Sequence, residues 1–588
     1  MKIEPGPAPR VRSVQSSVHN PGFHPVSDRV LVIGVDGASL DLLGPWMDRG
    51  LLPTFAKFRR EGASGTLLST VHPMSAQAWM SMCTGKNPAA HGIIDFMILE
   101  PGTYRMKFAN YSHAGSLALW DILPLFGKSA GIVNVPITFP PPPLKGPKPS
   151  YLVAGMGAPG TGSEFVSPPE LRKEILSRFP KYVIELGTWG YAKRGDREGM
   201  LRDIRTMLDV RFETVKFLFK ERPTDLSFVV FRATDEIQHH FWRYMDPNHP
   251  QHDPGKAAKF GNAILDIYRR VDEIIAELCA LLPDATVFLV SDHGSAGNSD
   301  KGIYLNSWLA QQGYLRFESG SLLSRARHRV VRAAKFQLRK HLSRRAKDFL
   351  LAVFPNLRDR VETSLSFAGI EWAETRAFSE ELRPNIWINL KGVRPLGTVE
   401  RSDYDALRDE IRGKALELRD PETGEPVFEA AYKKEEIYHG KFLDRAPDIL
   451  LVRRDKPYAY VMRTSGGRLQ EPVRRLTGEE LRDDLRPNAG HRPNGLVMLR
   501  GEAVRPGTAL PASNIVDIAP TVLYLMGLPI PADTDGKLIA AAIVPSRLAA
   551  QPPKSCEPAD LAAGAEHTYS PAEFKHIEDQ LRGLGYIE

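Results

Sequence analysis

The stretch Val287–Gly294, VFLVSDHG, is an apolar run that ends on an acid and an imidazole. The same shape recurs in VLVIGVDG, where Asp36 follows the run, and in LSFVVFRATDEIQHH, where Asp235 is followed four positions later by His239. Runs that are apolar on both faces are typical of buried parallel strands. Because ligands bind beyond the carboxyl ends of such strands, the three polar endings predict one shared site.

The pattern around these runs predicts an α/β fold. Apolar, β-branched runs alternate with helical segments such as 201–221 and 256–282, which favours a mostly parallel central sheet with helices on both faces. Residues 320–366 are basic and amphipathic, and they predict a helical insertion. The α/β pattern returns after the insertion in RPNIWINL, APDILLV and NGLVMLRG.

Changes in composition predict the domain boundaries. In the C-terminal part, a short helix is predicted in which Ser570 and Glu573 form a capping box. The predicted parts are a loose Pro-, Ser- and Gly-rich segment 1–27, a first part of the core 28–319, a basic helical insertion or cap 320–366, a second part of the core 367–545, and a C-terminal tail 546–588.

The overall composition is typical of a soluble globular protein. Of 588 residues, 42% are apolar and 25% are charged. The N-terminal segment lacks the apolar stretch of a secretory signal, and no run of about 18 apolar residues occurs. These features predict a cytoplasmic protein, and nothing in the sequence indicates its oligomeric state.

Most of the positive charge is local. The stretch 325–347 holds ten Lys or Arg and no acid, which more than accounts for the net charge of +7. Such a stretch is compatible with a solvated helix face, with attraction of an anionic substrate, or with contact to anionic lipid. No recognised nucleic-acid-binding module accompanies it.

Acids and imidazoles at neighbouring strand ends indicate a metal site. Clustered carboxylates repel one another and lose hydration, so a cation is their natural companion. His with carboxylates and without Cys favours zinc, manganese or iron over calcium. Asp235 and His239 lie four positions apart and share a helix face, whereas Asp292 and His293 are adjacent and can serve one ion or two. The structural alternatives are a turn or helix cap for Asp36 and a packed or surface position for His239.

Ser75 is the candidate nucleophile. It precedes a helix-like segment, 76–83, and a serine at a helix N-terminus can point its hydroxyl at a bound anion. The structural alternative is a serine that only caps the helix. A divalent cation nearby favours the chemical role, because it lowers the pKa of a hydroxyl.

Five motifs in order, VIGVDG, MSAQAWMSMCTG, TDEIQHHFW, VSDHG and GHRPNG, resemble the type I phosphodiesterase/nucleotide pyrophosphatase family of the alkaline phosphatase superfamily. The resemblance covers about 28–320 and 370–545. It implies a two-metal phosphoric ester hydrolase with two divalent ions, usually zinc, a phosphate ester as substrate, and a covalent phosphoseryl intermediate on Ser75. One ion would be held by Asp235, His239 and His491, and the other by Asp36, Asp292, His293 and Ser75.

One position departs from the family pattern. Nucleotide pyrophosphatases of this type carry a phosphate-binding Asn after HGI, where this chain has Phe96. The resemblance therefore leaves open a phosphotransferase, phosphomutase or phosphonate hydrolase of the same superfamily. A non-catalytic scaffold that binds anionic partners through its basic insertion is the alternative outside enzymes. Sulfatase chemistry is disfavoured, because Ser75 is not followed by the residues that direct conversion to formylglycine.

Overall fold

The computed structural model describes residues 28–318, 367, 369–454, 457–481, 487–558, 566–584 and 586. The predicted segment 1–27 and the predicted insertion 320–366, with its basic stretch 325–347, lie outside these residues. The strands are β1 Val30–Val35, β2 Ala63–Leu68, β3 Met97–Leu99, β4 Met106–Phe108, β5 Ala130–Val133, β6 Tyr151–Val153, β7 Val166–Ser167, β8 Leu226–Phe231, β9 Thr286–Val290, β10 Gly294–Ile303, β11 Ala377–Phe378, β12 Asn385–Ile388, β13 Phe428–Lys433, β14 Ile449–Arg453, β15 Ala459–Met462, β16 Val473–Arg475, β17 Ala489–Arg492, β18 Asn494–Arg500, β19 Thr508–Ala509, β20 Ser513–Asn514, β21 Ile530–Pro531 and β22 Ser555–Cys556. The helices are α1 Leu40–Asp48, α2 Pro53–Glu61, α3 Ser75–Thr84, α4 Pro88–His91, α5 Leu119–Leu125, α6 Pro169–Arg178, α7 Thr188–Arg194, α8 Arg197–Glu221, α9 Ala233–Met245, α10 Pro254–Phe260, α11 Ala263–Leu281, α12 Leu305–Gln311, α13 Tyr404–Glu417, α14 Lys434–Ile437, α15 Ile518–Leu525, α16 Pro545–Ala550 and α17 Pro571–Gly583.

A mostly parallel sheet forms the centre of the molecule. Its strand order is β19-β2-β18-β9-β1-β8-β5-β6-β7, and β20 also pairs with β2. The five strands from β9 to β6 are mutually parallel, whereas β18 is antiparallel to both β9 and β2. Every residue of β1, β8 and β9 is buried, so both faces of the sheet are covered. The predicted α/β class is confirmed.

Helix α3 is fixed against the sheet by one aromatic side chain. Trp79 is fully buried, packs edge-on against Phe228 of β8 and donates from Nε1 to Asp36 Oδ2 at 3.2 Å. Gly34 of β1 allows this approach, since a Cβ there would lie 2.4 Å from the indole ring. The contact ties the helix that begins at Ser75 to the strand that ends before Asp36.

A second hydrophobic cluster lies outside the central sheet. It is built on the antiparallel sheet β11-β12-β14-β13 and includes Trp308, Trp387 and residues of α13. The apolar runs in RPNIWINL and APDILLV do form strands, β12 and β14, but they pair here and do not extend the parallel sheet. An apolar run predicts a buried strand without indicating which partner it pairs with.

A β-ribbon connects the central sheet to the region that follows it. β10 begins four residues after β9 and pairs with β17 antiparallel. Farther along, β10 lies between β15 and β16 in a small sheet with the order β15-β10-β16. The ribbon therefore brings residues near 490 back to the carboxyl end of β9.

The predicted tail helix is present as α17, and Ser570 caps it together with Glu573 in a capping box. Across the described ranges, no helix combines the length and apolar character that crossing a bilayer would require.

Candidate metal centre

Five of the predicted site residues lie at the carboxyl ends of three neighbouring strands. Asp36 directly follows β1, Asp292 and His293 follow β9, and Asp235 and His239 lie on α9, which begins just after β8. β1 runs between β8 and β9 in parallel register, so the three ends are adjacent. All five side chains are buried.

His491 arrives from a distant part of the chain. Strand β17 pairs with β10 so that His491 lies opposite Ser295, two positions after His293. The His491 ring stacks on the His293 ring with a centroid separation of 3.6 Å. The structure therefore brings His491 to the same place as the strand-end residues.

Asp36, Asp292 and His293 form what we call the first cluster. One ligand atom from each lies within 4.8 Å of the others. His293 Nε2 lies 3.2 Å from Asp292 Oδ2 and 3.6 Å from Asp36 Oδ1. Ser75 Oγ lies 3.2 Å from the same His293 nitrogen, so the candidate nucleophile borders this cluster.

Asp235, His239 and His491 form the second cluster, also with one ligand atom from each within 4.8 Å. Asp235 Oδ1 lies 3.3 Å from His239 Nε2 and 3.5 Å from His491 Nε2. The two imidazole Nε2 atoms are 3.1 Å apart.

The imidazoles are oriented as metal ligands are. Each Nδ1 faces a backbone carbonyl, which can only accept, so Nδ1 carries a proton and Nε2 is the nitrogen left to bind a metal. In the second cluster two such nitrogens face each other, an arrangement that a positive charge between them, either a proton or a bound cation, stabilises. The carbonyls are Ala489 for His239 at 2.9 Å, Pro73 for His491 at 2.7 Å, and Gly294 for His293 at 3.1 Å.

The carboxylates also fit bound cations. Asp36 Oδ1, Asp235 Oδ1 and Asp292 Oδ2 are buried and accept no hydrogen bond from any described residue. A buried carboxylate oxygen without a partner is costly. These are the oxygens that face the histidine Nε2 atoms, so both clusters have the donor set and the unsatisfied charge that divalent cations would complete.

Arg232 contacts one carboxylate oxygen of each cluster, on Asp36 in the first and on Asp235 in the second. Its guanidinium is fully buried and lies 3.3 Å from Asp36 Oδ2 and 2.9 Å from Asp235 Oδ2. Its remaining branch binds Glu185 at 2.7 Å. Arg232 is not among the residues predicted from the sequence, although it carries the same signal, because it is a charged residue that directly follows the apolar strand β8.

Burial dominates the electrostatics of the first cluster. Burial, and next the charge of Asp235, raise the pKa of Asp36 to about 7, against the opposing effect of Arg232. Burial and the neighbouring Asp36 raise the pKa of Asp292 well above its usual range. Burial lowers the pKa of His293 well below its usual range.

In the second cluster, charge pairing outweighs burial in setting the pKa of Asp235 and of His239, but not that of His491. Although burial opposes ionisation, His239 and His491 hold the pKa of Asp235 well below its usual range. Burial lowers the pKa of His239, but Asp235 more than compensates and the net shift is upward. Burial lowers the pKa of His491.

The structure excludes the helix-cap alternatives for Ser75 and Asp36 and the surface alternative for His239, whereas Asp36 does lie in the turn after β1. Met74 is the N-cap of α3 and Ser75 is its first helical residue. Ser39, two residues after Gly37, caps α1, so Asp36 is not a helix cap. His239 is buried among the site residues and does not lie on the surface.

An aromatic pair borders the nucleophile. Phe96 is buried and its ring stacks on Tyr586 of the tail at 4.6 Å. Tyr586 Oη lies 3.2 Å from Ser75 Oγ. The sequence predicts a helix in the tail but carries no signal that Tyr586, three positions beyond the end of α17, reaches the site.

One solved structure supports the fold, and two others align less closely. The alkaline phosphatase PafA aligns with a TM-score of 0.50 at 14% identity, over 89% of this chain and 100% of its own. Murine ectonucleotide pyrophosphatase/phosphodiesterase 5 aligns with a TM-score of 0.44 at 15% identity, over 85% and 95%. Phosphonoacetate hydrolase from Sinorhizobium meliloti 1021, in complex with phosphonoformate, aligns with a TM-score of 0.49 at 13% identity, over 85% and 95%. Comparison with curated protein sequences gives no match.

The family profile matches most of the chain. The profile described as type I phosphodiesterase/nucleotide pyrophosphatase matches residues 30–475, a span that contains all the predicted site residues except His491. The chain therefore belongs to the type I phosphodiesterase/nucleotide pyrophosphatase family, whose members are metal-dependent phosphoester hydrolases.

Proposed function

We propose that the protein hydrolyses phosphoric esters and prefers diesters or pyrophosphates to monoesters. Ser75 is the nucleophile, and the reaction passes through a covalent phosphoseryl intermediate. The observation that carries this proposal is the position of Ser75 Oγ, 3.2 Å from His293 Nε2 and beside buried carboxylate oxygens that accept no hydrogen bond from the described residues. A hydroxyl in such surroundings is suited to attack on phosphorus once the carboxylate charge is balanced.

Divalent cations fit both clusters. Asp36, Asp292, His293 and Ser75 Oγ would hold one, and the residues of the second cluster would hold the other. Zinc suits this mixture of His and carboxylate ligands, with manganese and iron as alternatives. When bound, such cations supply Lewis acidity, which neutralises phosphoryl charge and lowers the pKa of a neighbouring hydroxyl.

The chain's own residues position the reaction. Ser75 Oγ forms the new bond to phosphorus as the ester oxygen departs, and the hydroxyl proton ends on the departing alcohol. Water then cleaves the phosphoserine and restores the hydroxyl. Gln77 Nε2 donates to Val71 O at 2.8 Å and so fixes the loop that leads into α3. His491 Nδ1 holds Pro73 O, which links that loop to the second cluster.

The Ser75→Ala variant tests the proposal. We expect turnover of bis-p-nitrophenyl phosphate to fall to background, because no other described hydroxyl in α3 borders a cluster. Metal content, measured by elemental analysis, should largely survive, because the six His and Asp side chains remain.

Ser81→Ala is the matched control. Ser81 is a buried serine of the same helix whose hydroxyl lies 2.9 Å from His91 Nε2, so its loss removes a serine–histidine contact outside both clusters. We expect it to retain turnover. Full turnover by Ser75→Ala would remove Ser75 from the mechanism, and a wild-type protein that binds fewer than about one divalent ion per chain would favour the scaffold alternative.

A further inference from the structure

The described end of the C-terminal tail packs against the rest of the molecule. Helix α17 buries Ile577 and Leu581, and Leu584 beyond its end is buried as well. The helix packs closely on α7, since a Cβ at Gly583 would lie 2.5 Å from Thr188 Oγ1. These residues and Tyr586 join the same hydrophobic core as the central sheet, so packing fixes the position of Tyr586.

Tyr586 reaches the nucleophile from this anchored tail. Its side chain is buried, and its hydroxyl lies 3.2 Å from Ser75 Oγ and 3.4 Å from His491 Nε2. The ring also lies edge-on to His239, with a centroid separation of 6.3 Å. The phenol thus touches the nucleophile and borders the second cluster.

A separate set of contacts holds Tyr586 against the Phe96 segment. The two rings stack at 4.6 Å. Arg383 joins them, because its Nη1 donates to Tyr586 O at 3.5 Å and its Nε lies 3.1 Å from Asp95 Oδ2. Phe96, which stands where the family carries its phosphate-binding Asn, is therefore the residue against which the Tyr586 ring packs.

We propose that Tyr586 is a catalytic residue whose hydroxyl donates a hydrogen bond to a non-bridging phosphoryl oxygen when the phosphorus is at Ser75. This inference rests on the proposed function of Ser75. With a cation at the second cluster, the His491 Nε2 lone pair is engaged, and the phenol O–H is left to face the phosphoryl group. A donor aimed at phosphoryl charge in a buried site stabilises the transition state and also binds free phosphate.

The rival interpretation is a removable plug that blocks the site. The packing of α17 favours a permanent wall, because withdrawing Tyr586 would expose Ile577, Leu581 and Leu584. The two interpretations predict opposite effects of removing the Tyr586 hydroxyl. If Tyr586 blocks the site, the loss of its hydrogen bond to Ser75 should raise turnover. If its hydroxyl donates to the phosphoryl group, the loss should lower turnover.

The Tyr586→Phe variant tests the proposal, because it removes the hydroxyl and keeps the ring stacked on Phe96. Inorganic phosphate binding to the zinc-loaded protein, measured by calorimetry, should weaken on the order of tenfold or more, which is the effect of losing one hydrogen bond to a charged group. The kcat/KM for bis-p-nitrophenyl phosphate should fall by a similar factor, with metal content and Tm unchanged.

Tyr569→Phe is the control, since Tyr569 is a buried tyrosine of the same tail whose hydroxyl donates to Gly157 O at 2.8 Å, outside both clusters. It should leave phosphate affinity unchanged. Unchanged phosphate affinity in Tyr586→Phe, or a rise in its turnover, would overturn the proposal. Because phosphate binding needs no turnover, a wild-type protein that binds phosphate without cleaving the diester would contradict the proposed hydrolysis alone.

Discussion

The two clusters balance buried charge in opposite ways. In the first cluster, burial raises the pKa of Asp36 and Asp292 and lowers that of His293. These shifts favour the neutral forms of all three side chains. In the second, Asp235 and His239 stabilise each other's charged forms. A cation would have to displace protons from the first cluster, whereas in the second it would replace the positive charge of an imidazolium.

The difference follows from where the residues lie in the fold. The two acids of the first cluster follow neighbouring parallel strands and face each other without an imidazolium between them. The second cluster has one acid and two imidazoles, one on α9 and one on β17. Arg232 contacts an acid of each cluster and so couples them.

The largest expected effect comes from removing one acid charge from each cluster in turn. Asp36→Asn and Asp235→Asn keep side-chain size, and we expect each to lower diester turnover on the order of 1,000-fold. Each should also leave one tightly bound ion in place of two, measured by elemental analysis after dialysis. The comparison between clusters would fail if one variant lost both ions and the other none.

Asp272→Asn is the control for this pair. Asp272 is a buried acid that accepts from the backbone N–H groups of Thr54 and Phe55 at the start of α2, at 3.0 and 2.9 Å. Its substitution should reduce stability while both ions remain bound.

Removing the guanidinium of Arg232, which contacts both clusters, should have an intermediate effect on stability and turnover. Arg232→Met leaves Asp36, Asp235 and Glu185 without their shared partner, and we expect about 3–5 kcal/mol less stability in the metal-free protein. Bound cations would replace part of the lost positive charge, so the metal-loaded protein should lose less. Turnover should fall about 10- to 100-fold, as for other residues that orient metal ligands.

Urea unfolding with and without a chelator measures this difference. An equal loss of stability in both states would show that Arg232 acts as packing and not as a counter-charge to the two acids. Arg232→Lys should not restore turnover, because one ammonium group cannot bind three carboxylates in a fixed fork.

The smallest expected effect is a pH dependence in the metal-free protein. The pKa of Asp36 rises from an ordinary 3.8 to about 7 on folding, so the folded chain keeps a proton that the unfolded chain releases. The stability from this proton is complete below pH 3.8 and is lost as the pH rises towards 7. The Tm of the metal-free protein should therefore fall by a few degrees over this interval, and Asp36→Asn should reduce the fall.

Asp235 should behave with the opposite sign. Its pKa is depressed on folding, so its contribution is present at neutral pH and is lost only as the pH falls below the ordinary range of an aspartate. Asp235→Asn should lower the Tm at neutral pH without removing the decline between pH 3.8 and 7. A slope that changes equally in both variants would contradict the contrast between the clusters.

Local sequence was enough to predict the elements that carry the site. The apolar runs before Asp36, Asp235 and Asp292 are strands of the central sheet, and the spacing of Asp235 and His239 places both on α9. Ser570 and Glu573 cap α17 as the sequence indicates. His491 was reached through the family resemblance alone, because β17 lacks the long apolar run that marked the other strands.

The sequence by itself determined the parallel sheet and the acids and imidazoles at its edge, because hydrophobic periodicity and strand-end residues are local properties of the chain. Tertiary structure decided which distant residues complete the site. Arg232 reaches Asp36 across 196 positions and Tyr586 reaches Ser75 across 511. Such contacts depend on how strands pair and how the tail packs, and no local pattern encodes which of many buried polar groups will meet.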